Sequence, residues 1–166
     1  MRVTTGSFDS NGSPTLKIQV AGVFSSAPTE FQVIIDTGFS GFLSMPLIQA
    51  FPLGLPLSGT TSVSLADGAT HSKLMASARV TVAGQTKIGL AILEPSSTDI
   101  LLGMDFLRTF KLAMIVSEMG VALFDEAELQ QTLKDAAATA AKSEGSQSEN
   151  ETGADEPGSV PPTTKG

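Results

Sequence analysis

The chain has 166 residues, 41% of them hydrophobic, and a formal net charge of −7, enough for one domain with a buried core. Residues 1–124 hold seven Lys or Arg and eight Asp or Glu, while 125–166 hold three and nine, so the acidity belongs to the end of the chain and no basic patch points to nucleic acid. The absence of Cys excludes disulfides, Cys-based zinc sites and thiol catalysis.

The opening residues "MRVTTGSFDSNGSP" lack the apolar core of a signal peptide. No apolar run reaches the length of about 18 residues that spans a bilayer as a helix. A cytoplasmic protein with no membrane partner is therefore expected.

The first periodic segment, "LKIQVAGVF" from Leu16, alternates apolar and polar residues as a half-buried strand does. Phe31–Ile35 reads as a second strand, ending at Asp36. "PLIQAF" from Pro46 suits one helical turn, and "PLGLPLSG" is a Pro- and Gly-rich loop. "TTSVSLADGATHSKLMASARVTVAG" reads as two long strands meeting at Asp67-Gly68, a hairpin dipeptide. "TKIGLAILE" follows as a further strand, joined through a turn at Gly84-Gln85. "DILLGMDFLRTF" predicts a short buried strand, Gly103, and a brief helix; "KLAMIVSEMGVALF" predicts a last hairpin turning near Glu118–Gly120. Turn signals every 8–12 residues mark an all-β sandwich or barrel.

After Phe124 the pattern changes. In 125–142 Asp125 is placed to cap a helix with acids in its first turn and Ala in its second half. Residues 143–166 are rich in Ser, Glu, Gly and Pro; such a segment cannot repay the entropy of ordering and is expected to be disordered.

The segment that raises a chemical question is "FQVIIDTGFSGFL", Phe31–Leu43. A carboxylate closing an apolar strand is costly unless it is paired, hydrogen-bonded or protonated. Asp36-Thr37-Gly38 alone fits a strand ending in an Asx-type turn, with Asp36 bonding nearby backbone N–H groups. A serine-hydrolase elbow would need Gly-x-Ser-x-Gly; Gly38-Phe39-Ser40-Gly41-Phe42 lacks the last Gly, and the single His71 lies on the long hairpin. One His with scattered acids makes no metal ligand set, so no metal is expected.

Context favours a different chemistry. An apolar strand closed by Asp-Thr-Gly is followed by a long hairpin with Gly at its tip, then by "ILLG" ending at Gly103. This order, and the stretch "RVTVAGQTKIGLAILEPSSTDILLGMDFL", resembles the retropepsin family, the single-domain aspartic proteases of retroviral type and their bacterial relatives, over about residues 12–124. The resemblance implies an all-β, closed or orthogonal barrel-like acid-protease half-domain over 1–124. It has one flap hairpin and a short helix after the second Gly motif; the C-terminal helix (125–142) and the disordered tail (143–166) follow. It implies Asp36 as the catalytic acid, and Thr37 hydrogen-bonding across to the same loop of a second chain. Gly38 would allow close backbone approach, and Leu101, Leu102 and Gly103 would pack beneath the catalytic turn. Asp67, Gly68 and Ala69 would form the tip of the flap over bound peptide. Asp105 has two readings, a cap for the following helix or a support for catalysis.

The family's chemistry uses two carboxylates sharing one proton and gripping one water, one as base and the other polarising the amide carbonyl. Like charges that close cannot both ionise, so the pair titrates as a unit. With one Asp-Thr-Gly and no internal repeat, the second carboxylate is expected from a second chain, in a symmetric homodimer acting on a peptide or protein without a cofactor. The rival is a non-catalytic dimerisation or peptide-binding adaptor on the same fold. Phe39 stands where retroviral enzymes usually have Ala and pepsin-like ones Ser; it either narrows the pocket or packs in the core. The terminal strands of the viral dimer interface are not reproduced, the final hairpin being longer. Phe39, Phe42, Leu65, Ile92 and Leu93 suggest apolar side chains on both sides of the scissile bond. Deleting residues 143–166 is expected to change neither the thermal midpoint nor turnover of small peptides, because the segment has almost no apolar area to bury. Unfolding or an altered rate in the truncated protein would make the tail structural or autoregulatory.

Overall fold

The computed structural model describes residues 3–64, 68 and 70–145. Asp67 and Ala69 of the expected flap tip, and the tail from 146, lie outside the described residues. Among the described residues no helix is long and apolar enough to cross a membrane.

Among the described residues ten strands form one continuous hydrogen-bonded system. In chain order they are β1 (Val3–Phe8), β2 (Pro14–Gly22), β3 (Thr29–Ile35), β4 (Leu43–Pro46), β5 (Leu57–Ser64), β6 (Thr70–Val82), β7 (Gln85–Glu94), β8 (Leu101–Leu102), β9 (Leu112–Ser117) and β10 (Gly120–Asp125). The order is β5-β6-β7-β4-β8-β3-β2-β1-β10-β9, and β6 also pairs with β2. That extra pairing, Gln19↔Thr81 to Gly22↔Ala78, closes six strands into a barrel. Two antiparallel strands, β10 and β9, continue the sheet from β1.

Alternation decides which side chains enter the barrel. Along β2, Leu16, Ile18 and Val20 are buried while Lys17 and Gln19 are exposed; β6 likewise buries Ala76, Ala78, Val80 and Val82. The helix α2 (Met104–Phe110) adds Phe106, Leu107 and Phe110 to the same core. Phe106 and Phe110 pack with ring centroids 4.7 Å apart, and Phe42 lies 5.6 Å from Phe106. Gly89 makes room for Phe42, since a Cβ there would overlap the ring. Burying each such ring contributes about 2–3 kcal/mol. Phe42 and Leu93 both belong to this core.

Two connections differ from the sequence reading. Val82 pairs with Gln85, so the β6–β7 turn is Ala83-Gly84, one residue earlier than expected. Both take positive φ, 52° and 75°, as the two-residue turn that matches strand twist demands. The stretch after Pro46 forms a single turn, α1 (Leu47–Ala50), and a 3-10 turn Phe51–Leu53 closed by Gly54 at φ 60°. β5 then starts at Leu57, inside the expected loop, with a register irregularity at Gly59.

The chain divides into two compact units, 1–129 and 130–166. The helix α3 runs Glu126–Gly145, three residues past the expected end. Asp125 caps it, with Oδ1 accepting from the N–H groups of Ala127 (3.0 Å) and Glu128 (3.2 Å). In the second unit, Gln131 donates to Asp135 Oδ1 at 2.8 Å and Leu133 is exposed.

Candidate active site

Asp36 sits at the first position beyond β3. Its N–H donates to Leu102 O at 2.9 Å, extending the parallel pairing Ile34↔Leu101 and Ile35↔Leu102. β8 is only two residues long, yet it lies between β3 and β4, pairing antiparallel with Leu43 and Ser44. A buried strand with partners on both sides is a rigid base for the loop that leaves β3.

That loop is held along its length by backbone hydrogen bonds. Phe39 N–H donates to Asp36 O at 3.1 Å, forming the turn. Gly103 N–H donates to Phe42 O at 3.3 Å, and Met104 N–H to Phe39 O at 2.8 Å. Asp105 N–H reaches the carbonyls of Ser40 and Gly41, each at 3.2 Å. The first N–H groups of α2, which have no partner within a helix, thus hold the Asp36 loop. The "ILLG" motif and Asp-Thr-Gly act as one structural unit.

The side chains complete the picture. Asp36 is half-buried, and its Oδ1 accepts from Gly38 N–H at 2.9 Å, so the Asx-type turn is real. Thr37 is exposed and its hydroxyl makes no hydrogen bond among the described residues. It lines a cavity of about 350 Å³ with Met104, Leu107, Arg108, Leu112 and Met114. Leu102 is fully buried and Leu101 half-buried. Gly103 has φ −101° and ψ −172°, open to any residue, so its need is steric. A Cβ there would run into the carbonyl oxygens of Phe39 and Gly41 and lie 2.7 Å from the Phe39 ring.

Phe39 has a role that the sequence left open. Its half-buried ring lies over Gly41 and Gly103, where a Cβ on either glycine would overlap it. It braces the loop from below. The signal available in the sequence was the pair of glycines, 41 and 103, with no hint that one ring covers both. Asp105 does not cap α2: the cap position is Gly103, without a side-chain bond, and Asp105 is an exposed acid in the first turn, a favourable place near the positive helix end.

The long hairpin β5–β6 remains paired to Ser64↔Thr70, and Gly68 at its tip has φ 82°. Near its root, Lys73 Nζ lies 2.5 Å from Glu94 Oε2, tying the hairpin to β7. His71 is exposed and lines a cavity of about 210 Å³ with Lys73, Leu74, Pro95 and Ser96, not with Ser40. A larger apolar cavity, about 560 Å³, lies between α1, the 3-10 turn and the hairpin root, with Leu47, Phe51, Leu57, Leu74 and Leu93 on its walls. Among the described residues no three His, Cys, Asp or Glu side chains gather as metal ligands.

Comparison with solved structures agrees with this architecture. EIAV protease, in a complex with the inhibitor HBY-793, superposes with a TM-score of 0.52 at 14% identity, covering 65% of this chain and 97% of that one. A retropepsin-like aspartic protease from Rickettsia conorii superposes with a TM-score of 0.50 at 17% identity, covering 73% of this chain and 89% of that one. No protein-family model and no curated protein sequence matches the chain. The fold is that of the retropepsin-like aspartic proteases.

Proposed function

We propose that this chain is one half of an aspartic endopeptidase, hydrolysing peptide bonds through a water held between two Asp36 carboxylates, one from each copy in a homodimer. The observation that carries this reading is the loop 36–42. It presents one carboxylate from a base fixed by five backbone hydrogen bonds to the 102–105 segment, on a retropepsin-like fold. Nothing in a solvated Asx turn requires so elaborate a mounting. In the shared site one Asp36 takes a proton from the water while the other, protonated, donates to the substrate carbonyl as its oxygen becomes negative. Gly38 keeps the approach to the carboxylate clear, and the unbonded Thr37 hydroxyl is available to the second chain. The hairpin β5–β6, with Gly68 at its tip, serves as the cover over bound peptide.

Subunit mixing tests the shared site. Wild type and Asp36→Asn chains are allowed to exchange at equal concentration. Random pairing leaves roughly a quarter of the dimers with two aspartates. Activity is therefore expected to settle near half of that given by the same wild-type chains alone. Retention of full activity after demonstrated exchange would place a complete site within one chain and overturn the proposal.

A further inference from the structure

We propose that the cleft under the hairpin β5–β6 selects peptides whose side chains next to the cleaved bond are polar and neutral, Gln and Asn foremost, with Ser72 and Ser96 receiving the side-chain amide. The inference rests on the reading of Asp36 as half of a shared site, and it names the class of substrate that this site takes.

The first observation is a change of character along one face of β6. Ala76, Ala78, Val80 and Val82 fill the barrel interior, and strand alternation carries the same face on through Leu74, Ser72 and Thr70. Directly opposite on β5, Thr60 faces Leu74 and Ser62 faces Ser72. Beyond Leu74 this face therefore carries hydroxyls where the barrel carries methyl groups. Thr60, Ser62, Thr70 and Ser72 are all exposed, and none of their hydroxyls has a hydrogen-bond partner among the described residues. Hydroxyls on the other face of β6 do find partners: Ser77 Oγ lies 2.7 Å from Ser58 Oγ, and Thr81 Oγ1 lies 2.8 Å from Thr86 Oγ1. The hairpin thus keeps free donors and acceptors on the face that continues the barrel interior, the face a cover turns toward what it covers.

The second observation is the loop that carries Asp36. Phe42 lies in the core, and the Phe39 ring lies against Gly41 and Gly103. The side chains that this loop leaves exposed are Thr37 and Ser40, whose hydroxyls likewise have no partner among the described residues. The loop and the hairpin, folded from distant parts of the chain, therefore present the same chemistry.

The third observation is a cavity between the hairpin and the segment that leads to β8. His71, Ser72 and Lys73 enclose about 210 Å³ together with Leu74, Pro95 and the exposed Ser96. Lys73 is already bonded to Glu94, so its ammonium group is not left to draw in an acidic side chain. Each hydroxyl both donates and accepts, as a carboxamide does. An apolar side chain in the cavity would displace water from Ser72 and Ser96 without replacing its hydrogen bonds, which lowers the rate on that peptide. The two-fold symmetry of a homodimer extends the same preference to both sides of the bond.

The test is competitive cleavage of peptides that carry Gln, Leu or Glu at the positions flanking the cleaved bond. The wild type is expected to show kcat/KM about tenfold higher for Gln than for Leu or Glu, the effect of roughly one hydrogen bond on each side. Ser72→Val/Ser96→Ala is expected to bring the Gln-to-Leu ratio to within about twofold of one, by loss of those bonds. Ser72→Thr has the same branched shape as Ser72→Val but keeps the hydroxyl, and is expected to keep the ratio. Thr86→Val, an exposed position at the far end of β7, is the control and is expected to leave the ratio unmoved. A wild type that prefers Leu or Glu overturns the proposal, as does a Gln preference that survives Ser72→Val/Ser96→Ala; both results leave the shared Asp36 site standing. Cleavage of none of the peptides would count against that shared site. Calorimetric binding of the same uncleaved peptides then decides the proposal: Gln bound more tightly than Leu and Glu supports it, and no binding or any other order overturns it.

Discussion

Replacing Asp36 by Asn is expected to abolish peptide hydrolysis and leave the barrel unchanged. The structural half of this expectation follows from the hydrogen bond at Asp36. Its Oδ1 accepts from Gly38 N–H at 2.9 Å, and an Asn side chain offers a carbonyl oxygen to the same donor. The backbone bonds from Asp36 N–H to Leu102 O, and from the N–H groups of Met104 and Asp105, do not involve the side chain at all. The chemical half follows from what Asn lacks: it neither accepts a proton from water nor gives one to a carbonyl oxygen. Positioned acid–base groups contribute about 10²–10⁴-fold to rate, and here the same substitution removes both partners of the pair. The expected result is turnover below one-hundredth of wild type on a peptide, with a thermal midpoint within about 2 °C. Turnover above a few per cent, with contaminating protease excluded by an inactive mock purification, would remove Asp36 from the chemistry.

Gly103→Ala is expected to destabilise the fold and to disable the loop that carries Asp36. The added methyl meets backbone carbonyl oxygens of Phe39 and Gly41, not the end of a flexible side chain. Relief requires the 36–42 loop to move off the start of α2, at the expense of the 2.8 Å bond from Met104 to Phe39 and the bonds from Asp105. Overpacking costs about 1–3 kcal/mol, and each lost hydrogen bond adds roughly 1 kcal/mol. A loss of about 3 kcal/mol in unfolding free energy by urea titration is expected. Because the loop carries Asp36, and a misplacement near 1 Å costs about a hundredfold in rate, the folded remainder is expected to be nearly inactive. A variant within 0.5 kcal/mol of wild type, a typical surface effect, would show that the loop and the 102–105 segment are not a single unit.

Much of this architecture is local and was therefore legible in the sequence. Alternation exposes β2 and β6 because one face of a strand meets the core and the other meets water. Asp36 stood out because an acid closing Val33-Ile34-Ile35 has an energetic cost that something must offset. The capped helix after Asp125 follows from cap chemistry that acts within a few residues. The elements that escaped the sequence reading carry little local signal. β1, Val-Thr-Thr-Gly-Ser-Phe, has no apolar stripe and is a strand because β10 and β2 offer it partners. β4 has four residues, all buried, fewer than a period needs to declare itself.

The sequence by itself determined the strand-rich character of 3–125, the position of the carboxylate at a strand end and the two glycine-bearing motifs that surround it. Only the tertiary structure decided that those motifs are strapped together, that the Phe39 ring spans Gly41 and Gly103, that Phe42 turns into the core, and that β9 is left with an open edge. The division has one physical cause. Turn chemistry and side-chain periodicity are set by neighbours along the chain. Pairings such as Ile35 with Leu102, or the closure of β2 on β6, gain their free energy from partners far apart in sequence. Those contacts form only once the intervening chain has folded and its loop entropy has been offset.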